Sequence, residues 1–101
     1  MKETDLQNLI RIELSKHGIV FRRHVGEFIT QNGTSVKIGV PGESDLEFIG
    51  NGFVAFIEVK TPTGRVRSEQ LKFIEKMHSM GHKAGIARSV EDALKIIYGE
   101  R

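Results

Sequence analysis

The sequence contains no cysteine and no long apolar run. Without cysteine, neither a disulfide framework nor a thiolate metal site can form, so any metal ion must be bound by oxygen or imidazole ligands. No apolar segment approaches the length of a transmembrane helix, and the start MKETDLQNLIRIELSKHG is too polar for a secretory signal. We therefore expect a cytoplasmic protein with no membrane partner.

The chain also lacks a strong excess of either charge. Its 101 residues fit one compact domain over residues 1–101. Lys and Arg number 15 against 13 Asp and Glu, a mild excess that permits a polyanionic partner without requiring one. Charge runs of this kind are more often solvated surface than a nucleic-acid footprint. The basic residues lie in two clusters, formed by Arg22, Arg23 and His24, and by Arg65, Arg67, Lys72, Lys76 and Lys83.

Apolar periodicity and turn residues predict the order α-β-β-β-β-α-β-α. Thr4 and Gln7 have the spacing of a capping box, Ser68 can cap the second helix, and Leu9 and Leu71 are assigned to buried helix faces. The order predicts an α/β fold with helices against a mixed sheet. Helices are predicted over residues 5–17, 68–80 and 90–99, and strands over 19–25, 34–40, 46–49, 53–60 and 82–89, with 19–25 and 34–40 joined through the turn 31–33.

The dipeptide Asn51-Gly52 favours a tight two-residue hairpin turn, which fixes the register of the strands on either side. In that register Asp45 lies opposite Glu58, with Cβ atoms about 4.5–5.5 Å apart. Strand alternation puts Lys60 on the same face as Glu58. Glu47 lies on this face too, where it is either a residue of the exposed sheet edge or an auxiliary acid.

Two opposed carboxylates destabilise a sheet unless something positive lies between them. One explanation is a salt-bridge network formed with Lys60 and a nearby arginine. The other is a divalent ion, Mg²⁺ or Mn²⁺, because hard oxygen ligands suit these ions. The residues alone leave both explanations open.

The segments Gly42-Glu43-Ser44-Asp45 and Glu58-Val59-Lys60 resemble the signature of the PD-(D/E)xK nuclease superfamily. The more specific resemblance is to the VRR-NUC domain in its short stand-alone form, which is found in phages and bacteria. Glu3 and Gln7 on the first helix and Gln70 in SEQLKFIEKMHSMGHKAGIARSVEDAL fit that family's order. Ser44 stands where the family usually has proline, which affects the loop rather than a ligand.

The resemblance implies a restriction-endonuclease-like three-layer core and a catalytic set of Asp45, Glu58, Lys60 and Gln70. Asp45, Glu58 and the backbone carbonyl of Val59 would bind Mg²⁺ or Mn²⁺, and Lys60 would assist the attacking water. Gln70 would hold Lys60 or the substrate phosphate. The implied activity is that of a metal-dependent DNA endonuclease acting on branched DNA, similar to a Holliday-junction resolvase and working as a homodimer. The candidate DNA contacts are Arg22, Arg23, Arg65, Arg67 and Lys72.

Two other functions remain open, a non-catalytic nucleic-acid-binding module on the same fold and a protein-interaction scaffold. The last helix, with Ile96, Ile97 and Tyr98, is a candidate dimer surface. His78 and His82 have the spacing of a zinc helix, but Gly81 is expected to end the helix between them. Roles are not assigned to Glu3, Gln7, Glu13 and Glu47, although Glu13 would pair with Arg22 or Arg23 or face the metal.

Overall fold

The computed structural model describes residues 1–23, 26–38 and 42–99. His24, Pro41 and the predicted strand ends at residues 25, 39 and 40 lie outside the described residues. The helices and strands are α1 (Glu3–Leu14), β1 (Ile19–Arg22), β2 (Gly26–Ile29), β3 (Ser35–Ile38), β4 (Leu46–Ile49), β5 (Val54–Val59), α2 (Ser68–Ser79), β6 (Lys83–Ala87) and α3 (Val90–Tyr98).

Four strands form a mixed sheet in the order β1-β4-β5-β6, with β6 parallel to β5 and the other pairs antiparallel. The predicted pairing of 19–25 with 34–40 is wrong, because β1 pairs with β4 and β3 pairs with an additional strand, β2. The turn at 31–33 does exist, and the amide of Thr30 donates to the carbonyl of Thr34 across it. A turn this short pairs the two strands that directly flank it, and these are β2 and β3.

The helices cover the sheet on both faces. On one face Leu14 of α1 and Ile97 of α3 pack with Ile57 of β5, and all three are fully buried. On the other face Ile74 of α2 packs against Phe56 of β5. This arrangement confirms the expected α/β fold, a central sheet between two helical layers. No helix in the described ranges is long and apolar enough to cross a membrane.

Two predicted helix starts are wrong. α1 begins at Glu3 with Lys2 at its cap position, so Thr4 lies within the helix and forms no capping box with Gln7. α2 begins at Ser68, and Arg67 rather than Ser68 occupies the cap position. At the start of α3, Ser89 does cap the helix, because its hydroxyl accepts a 3.1 Å hydrogen bond from the amide of Asp92.

The buried stripes of α1 and α2 are narrower than predicted. Leu9 and Leu71 were assigned to buried faces, yet each is 45% exposed. Gln7, by contrast, is buried beside Leu6 in α1. A polar side chain thus takes a place on the inner face of α1 close to the end of the sheet where β4 begins.

The hairpin register is confirmed. Leu46 pairs with Ile57 and Phe48 with Ala55, and the amide of Gly50 donates a 3.0 Å hydrogen bond to the carbonyl of Phe53. Gly52 has a φ of 81°, a conformation that glycine adopts without steric cost. This register brings the start of β4 beside the end of β5.

Candidate active site

Three carboxylates meet where β4 begins and β5 ends. Asp45 directly precedes β4, Glu58 lies in β5, and Glu3 comes from the first turn of α1. One oxygen of each residue lies within 4.8 Å of the others. The opposition of Asp45 and Glu58 therefore follows from the hairpin, whereas Glu3 reaches the pair from a helix in a different layer.

Asp45 is fixed through its side chain and its backbone. Its Oδ2 accepts a 2.8 Å hydrogen bond from the amide of Val59, and its carbonyl accepts one of 2.7 Å from the amide of Arg23. The first bond ties the residue to the end of β5, and the second ties it to the chain just after β1. The carboxylate is consequently held before any ligand arrives.

Glu58 is almost fully buried, with 1% of its surface exposed. Its Oε2 accepts a 3.0 Å hydrogen bond from Nε2 of Gln70 and lies 3.7 Å from Nζ of Lys60. Its Oε1 is also buried and has no hydrogen-bond donor among the described residues. Burial, and next the charge of Asp45, raise the pKa of Glu58 to about 8, although Lys60 opposes the shift. An acceptor left without a donor in this way is suited to a cation.

Lys60 alone does not neutralise the cluster. The Lys60 side chain is largely buried and its Nζ has one carboxylate partner among the described residues, Glu58, while its amide donates a 3.0 Å hydrogen bond to the carbonyl of Ala87. Among the described residues neither Glu3 nor Asp45 has an ion pair. The salt-bridge explanation requires a nearby arginine, and Arg23 pairs instead with Glu43 at 2.8 Å. Among the described residues the acid cluster is therefore not neutralised by a complete salt-bridge network.

Gln70 links this cluster to α2. Its Oε1 accepts a 2.9 Å hydrogen bond from the amide of Arg67, and its Nε2 donates to Glu58. The sequence resemblance pointed to Lys60 or a substrate phosphate as the partner of Gln70, whereas its contact in the structure is with Glu58. The amide therefore orients the buried acid.

A polar cavity of about 260 Å³ opens beside the acids. Gln7 is among its lining residues, and its buried Oε1 has no hydrogen-bond donor in the described part of the chain. The lining combines carboxylate, guanidinium and amide groups, a set suited to a ligand that carries both a cation and an anionic group. The lining residues are Gln7, Arg22, Arg23, Glu43, Asp45, Arg67 and Gln70.

The family model of the VRR-NUC domain matches residues 28–91, more than half of the chain. The protein belongs to the VRR-NUC domain family. This is a nuclease-type domain, so the family resemblance is confirmed. One similar solved structure, described as a VRR-NUC domain, has a TM-score of 0.67 and 22% sequence identity, and the alignment covers 98% of this chain and 97% of that one. At this identity the likeness establishes the fold. No curated protein matches the chain.

The basic residues of this VRR-NUC domain differ in their surroundings. Arg22 and Arg67 line the cavity, and no ion pair involves either of them within the described ranges. Arg23 also lines it but pairs with Glu43 at 2.8 Å and with Glu47 at 3.8 Å, and its bond to Glu43 raises the pKa of the guanidinium. The other two candidate DNA contacts, Arg65 and Lys72, are exposed and lie outside the cavity.

Glu13 lies at the far end of α1 and takes no part in the VRR-NUC acid cluster. It lies 3.4 Å from both Lys16 and His17, not beside Arg22 or Arg23 as expected. The carboxylate is therefore a surface group of the last helical turn. Glu13 follows Leu9 by one helical turn, and Leu9 is itself exposed, so this side of α1 does not face the sheet.

Two other expectations for the VRR-NUC domain have definite outcomes. Ile97 belongs to the core, with no surface exposed, so it cannot contribute to a dimer surface, whereas Tyr98 is 63% exposed. α2 ends at Ser79 and Gly81 follows with a φ of 87°, which places His82 outside the helix that carries His78.

Sequence reasoning undervalued Glu3 and missed Arg88. Glu3 was noted as an acid near a helix start and as part of the family's order, without an assigned role, and the sequence contains no signal for how α1 lies against the sheet. Arg88 directly follows β6, which runs parallel to β5, so a correct topology would have placed it beside Lys60. Its guanidinium binds the loop that follows Lys60.

Proposed function

We propose that this VRR-NUC domain is a metal-dependent endodeoxyribonuclease that hydrolyses phosphodiester bonds in branched DNA. The observation that supports this most is the convergence of Glu3, Asp45 and Glu58, whose oxygens lie within 4.8 Å of one another. A cluster of carboxylates beside a buried ammonium group and a polar cavity suits phosphodiester hydrolysis better than a purely structural role.

The donor set fits Mg²⁺ or Mn²⁺. Asp45, Glu58 and the carbonyl of Val59 would hold the ion, with Glu3 as a further oxygen ligand, and the buried Oε1 of Glu58 has no competing donor among the described residues. Carboxylate and carbonyl oxygens are the ligands that these hard cations prefer. When bound, such an ion stabilises negative charge on a phosphate and lowers the pKa of a water molecule.

The remaining groups would act on the substrate. Lys60 would orient the attacking water or offset the charge that develops on the phosphate, because its ammonium group is buried beside Glu58. Gln70 holds Glu58 in place. Arg22 and Arg67, which line the cavity together with Asp45, would bind backbone phosphates of the DNA.

Selectivity in this proposal comes from DNA shape. Contacts of arginine and lysine with phosphates supply affinity without reading the base sequence. The resemblance to stand-alone VRR-NUC domains favours a four-way junction, cut symmetrically by a homodimer. A chain of 101 residues supports the dimer, because one such domain is too small to reach both strands.

A nicking assay on a four-way junction with Mg²⁺ or Mn²⁺ tests the proposal. Wild type should cleave, and Asp45→Asn and Lys60→Ala should lose about a hundredfold or more of the rate. Equal cleavage by the variants would refute the assignment of the site. Binding without cleavage by the wild type would instead favour a non-catalytic nucleic-acid-binding module.

A further inference from the structure

Arg88 contacts three backbone carbonyl oxygens in the loop between β5 and α2. Its Nη1 lies 2.6 Å from the carbonyl oxygen of Thr61, 2.9 Å from that of Gly64 and 3.3 Å from that of Pro62. Hydrogen bonds from a charged guanidinium group are stronger than those between neutral groups. The loop therefore folds around a single arginine side chain.

The backbone that carries this arginine is itself well anchored. The amide of Arg88 donates a 2.9 Å hydrogen bond to Oδ2 of Asp92 in the first turn of α3. The preceding residue, Ala87, pairs with Val59 in the parallel strands, and its carbonyl accepts from the amide of Lys60. The guanidinium group thus projects from the joint between the sheet and α3.

Before Arg67, the loop that it binds has little other backbone support among the described residues. Residues 61–67 have one internal backbone hydrogen bond in the described structure, from the amide of Gly64 to the carbonyl of Thr61. Arg67, at the end of the loop, is tied to α2, because its amide donates to Gln70 and its carbonyl accepts from the amides of Gln70 and Leu71. Arg65 and Arg67 lie on this loop and are exposed, and Arg67 lines the cavity beside Asp45.

We propose that Arg88 is a positioning residue that holds the loop 61–67, so that Arg65 and Arg67 are presented to the DNA backbone. Arg88 does not line the cavity and acts through the loop. The inference rests on the proposed nuclease function for its kinetic consequence, whereas the effect on the loop does not depend on catalysis. Lys60 keeps its own backbone bond to Ala87, so the loss of Arg88 should weaken substrate binding more than turnover.

Trypsin cleavage after Arg65 and Arg67 tests the loop directly. In Arg88→Ala the native protein should be cut at these two sites about tenfold faster than wild type, because the charged hydrogen bonds that hold the loop are lost. The cleavage rate of Arg88→Lys should lie between those of wild type and Arg88→Ala. Arg11→Ala, an arginine on α1 far from the loop, is the matched control. The trypsin site after Lys95 in α3 serves as an internal measure of global unfolding.

Kinetics on the four-way junction test the consequence for the substrate. Arg88→Ala should raise KM about tenfold while kcat changes less than about twofold, since a displaced binding group affects the complex and not the acids. Mn²⁺ affinity, measured by calorimetry, should equal that of wild type. A purely structural role would instead lower kcat through the fraction of folded protein and leave KM unchanged.

The two proposals can fail separately. If the wild type does not cleave DNA, the nuclease function fails, and the trypsin rates together with junction-binding affinity still decide the role of Arg88. Unchanged trypsin cleavage at Arg65 and Arg67 in Arg88→Ala, or faster cleavage matched by equal acceleration in α3, would overturn the positioning role whatever the activity of the wild type.

Discussion

Nε2 of Gln70 donates a 3.0 Å hydrogen bond to Oε2 of Glu58, while Oε1 of the same side chain accepts one of 2.9 Å from the amide of Arg67. One amide group thus satisfies the first turn of α2 and orients a buried acid in β5. The position of the acid and the start of the helix are coupled as a result. A substitution at Glu58 should therefore affect the start of α2, and a change at the start of α2 should affect the position of Glu58.

Gln70→Ala should lower the free energy of unfolding by about 1–3 kcal/mol, because a buried carboxylate oxygen and a helix-start amide both lose their partner. Urea unfolding measures the change. Gln31→Ala, in the exposed turn between β2 and β3, is the control and should stay within about 0.5 kcal/mol of wild type. A loss in Gln70→Ala no larger than in the control would contradict the bridging role.

The raised pKa of Glu58 predicts a pH-dependent stability. Burial first, and then the charge of Asp45, raise this pKa from 4.5 to about 8, so the folded protein binds the proton more tightly than the unfolded chain between these values. The free energy of unfolding of metal-free protein should therefore fall as pH rises from about 4.5 to about 8, by up to about 1.4 kcal/mol per pH unit from this group.

Glu58→Gln isolates that contribution, since glutamine does not titrate. Urea unfolding in the presence of a chelator, from pH 5 to 9, should give a smaller decline with pH in the variant than in wild type. Glu91→Gln, on an exposed turn of α3, should follow the wild-type curve. Parallel curves for wild type and Glu58→Gln would show that the buried acid keeps an ordinary pKa.

The opposition of Asp45 and Glu58 could be predicted from sequence because it depends on local geometry. A two-residue turn determines which residues face each other, and alternation then determines the face. The pairing of β1 depended on a longer connection and was predicted incorrectly. Its partner β4 lies far along the chain, and no local signal distinguishes that strand from β3.

Contacts between the helical layers and the sheet could not be predicted from the sequence. Glu3 approaches Asp45 only because α1 packs across the sheet end, and the bond between Arg88 and Thr61 depends on β6 lying beside β5. Neither contact leaves a periodic pattern in the sequence. The ion pair of Arg23 with Glu43 is a further contact of this kind, and the prediction that Arg23 binds DNA stays a prediction.

We expect Glu3 to contribute a measurable part of the affinity for Mn²⁺. Glu3→Gln should weaken Mn²⁺ binding at pH 8 by at least about tenfold, because one of three converging carboxylates is lost. Isothermal titration calorimetry measures the affinity. Asp5→Asn removes an exposed acid from the same helical turn and should bind Mn²⁺ like wild type. Equal affinities in Glu3→Gln and Asp5→Asn would exclude Glu3 as a ligand.

Two neighbouring arginines should behave differently when removed. Arg22→Ala should reduce the slope of log affinity for a four-way junction against log salt by about 1, with little change in stability. Arg23→Ala should lower the free energy of unfolding by about 1–2 kcal/mol, since the 2.8 Å ion pair with the largely buried Glu43 is lost. Anisotropy across a salt series and urea unfolding measure the two effects. Identical phenotypes would contradict the separate roles.

Gly42 and Gly52 provide a matched test of the loop that carries Asp45. Both have positive φ, 79° and 81°, so alanine at either should cost about 1–2 kcal/mol of stability through backbone strain. A Cβ at Gly42 would also clash with the carbonyl oxygen of Glu69, whereas a Cβ at Gly52 would have no atom of the described residues within 4 Å. Gly42→Ala must therefore push the loop away from the start of α2.

That displacement should reach the acids, because Glu69 precedes Gln70 and Gln70 holds Glu58. Gly42→Ala should lose more stability than Gly52→Ala and should also weaken Mn²⁺ binding, while Gly52→Ala should bind the ion like wild type. Urea unfolding and calorimetry on the two variants separate strain from clash. If both variants bound Mn²⁺ equally well, the contact between this loop and α2 would have no part in shaping the acid cluster, and the bond from Val59 to Asp45 would suffice to hold it.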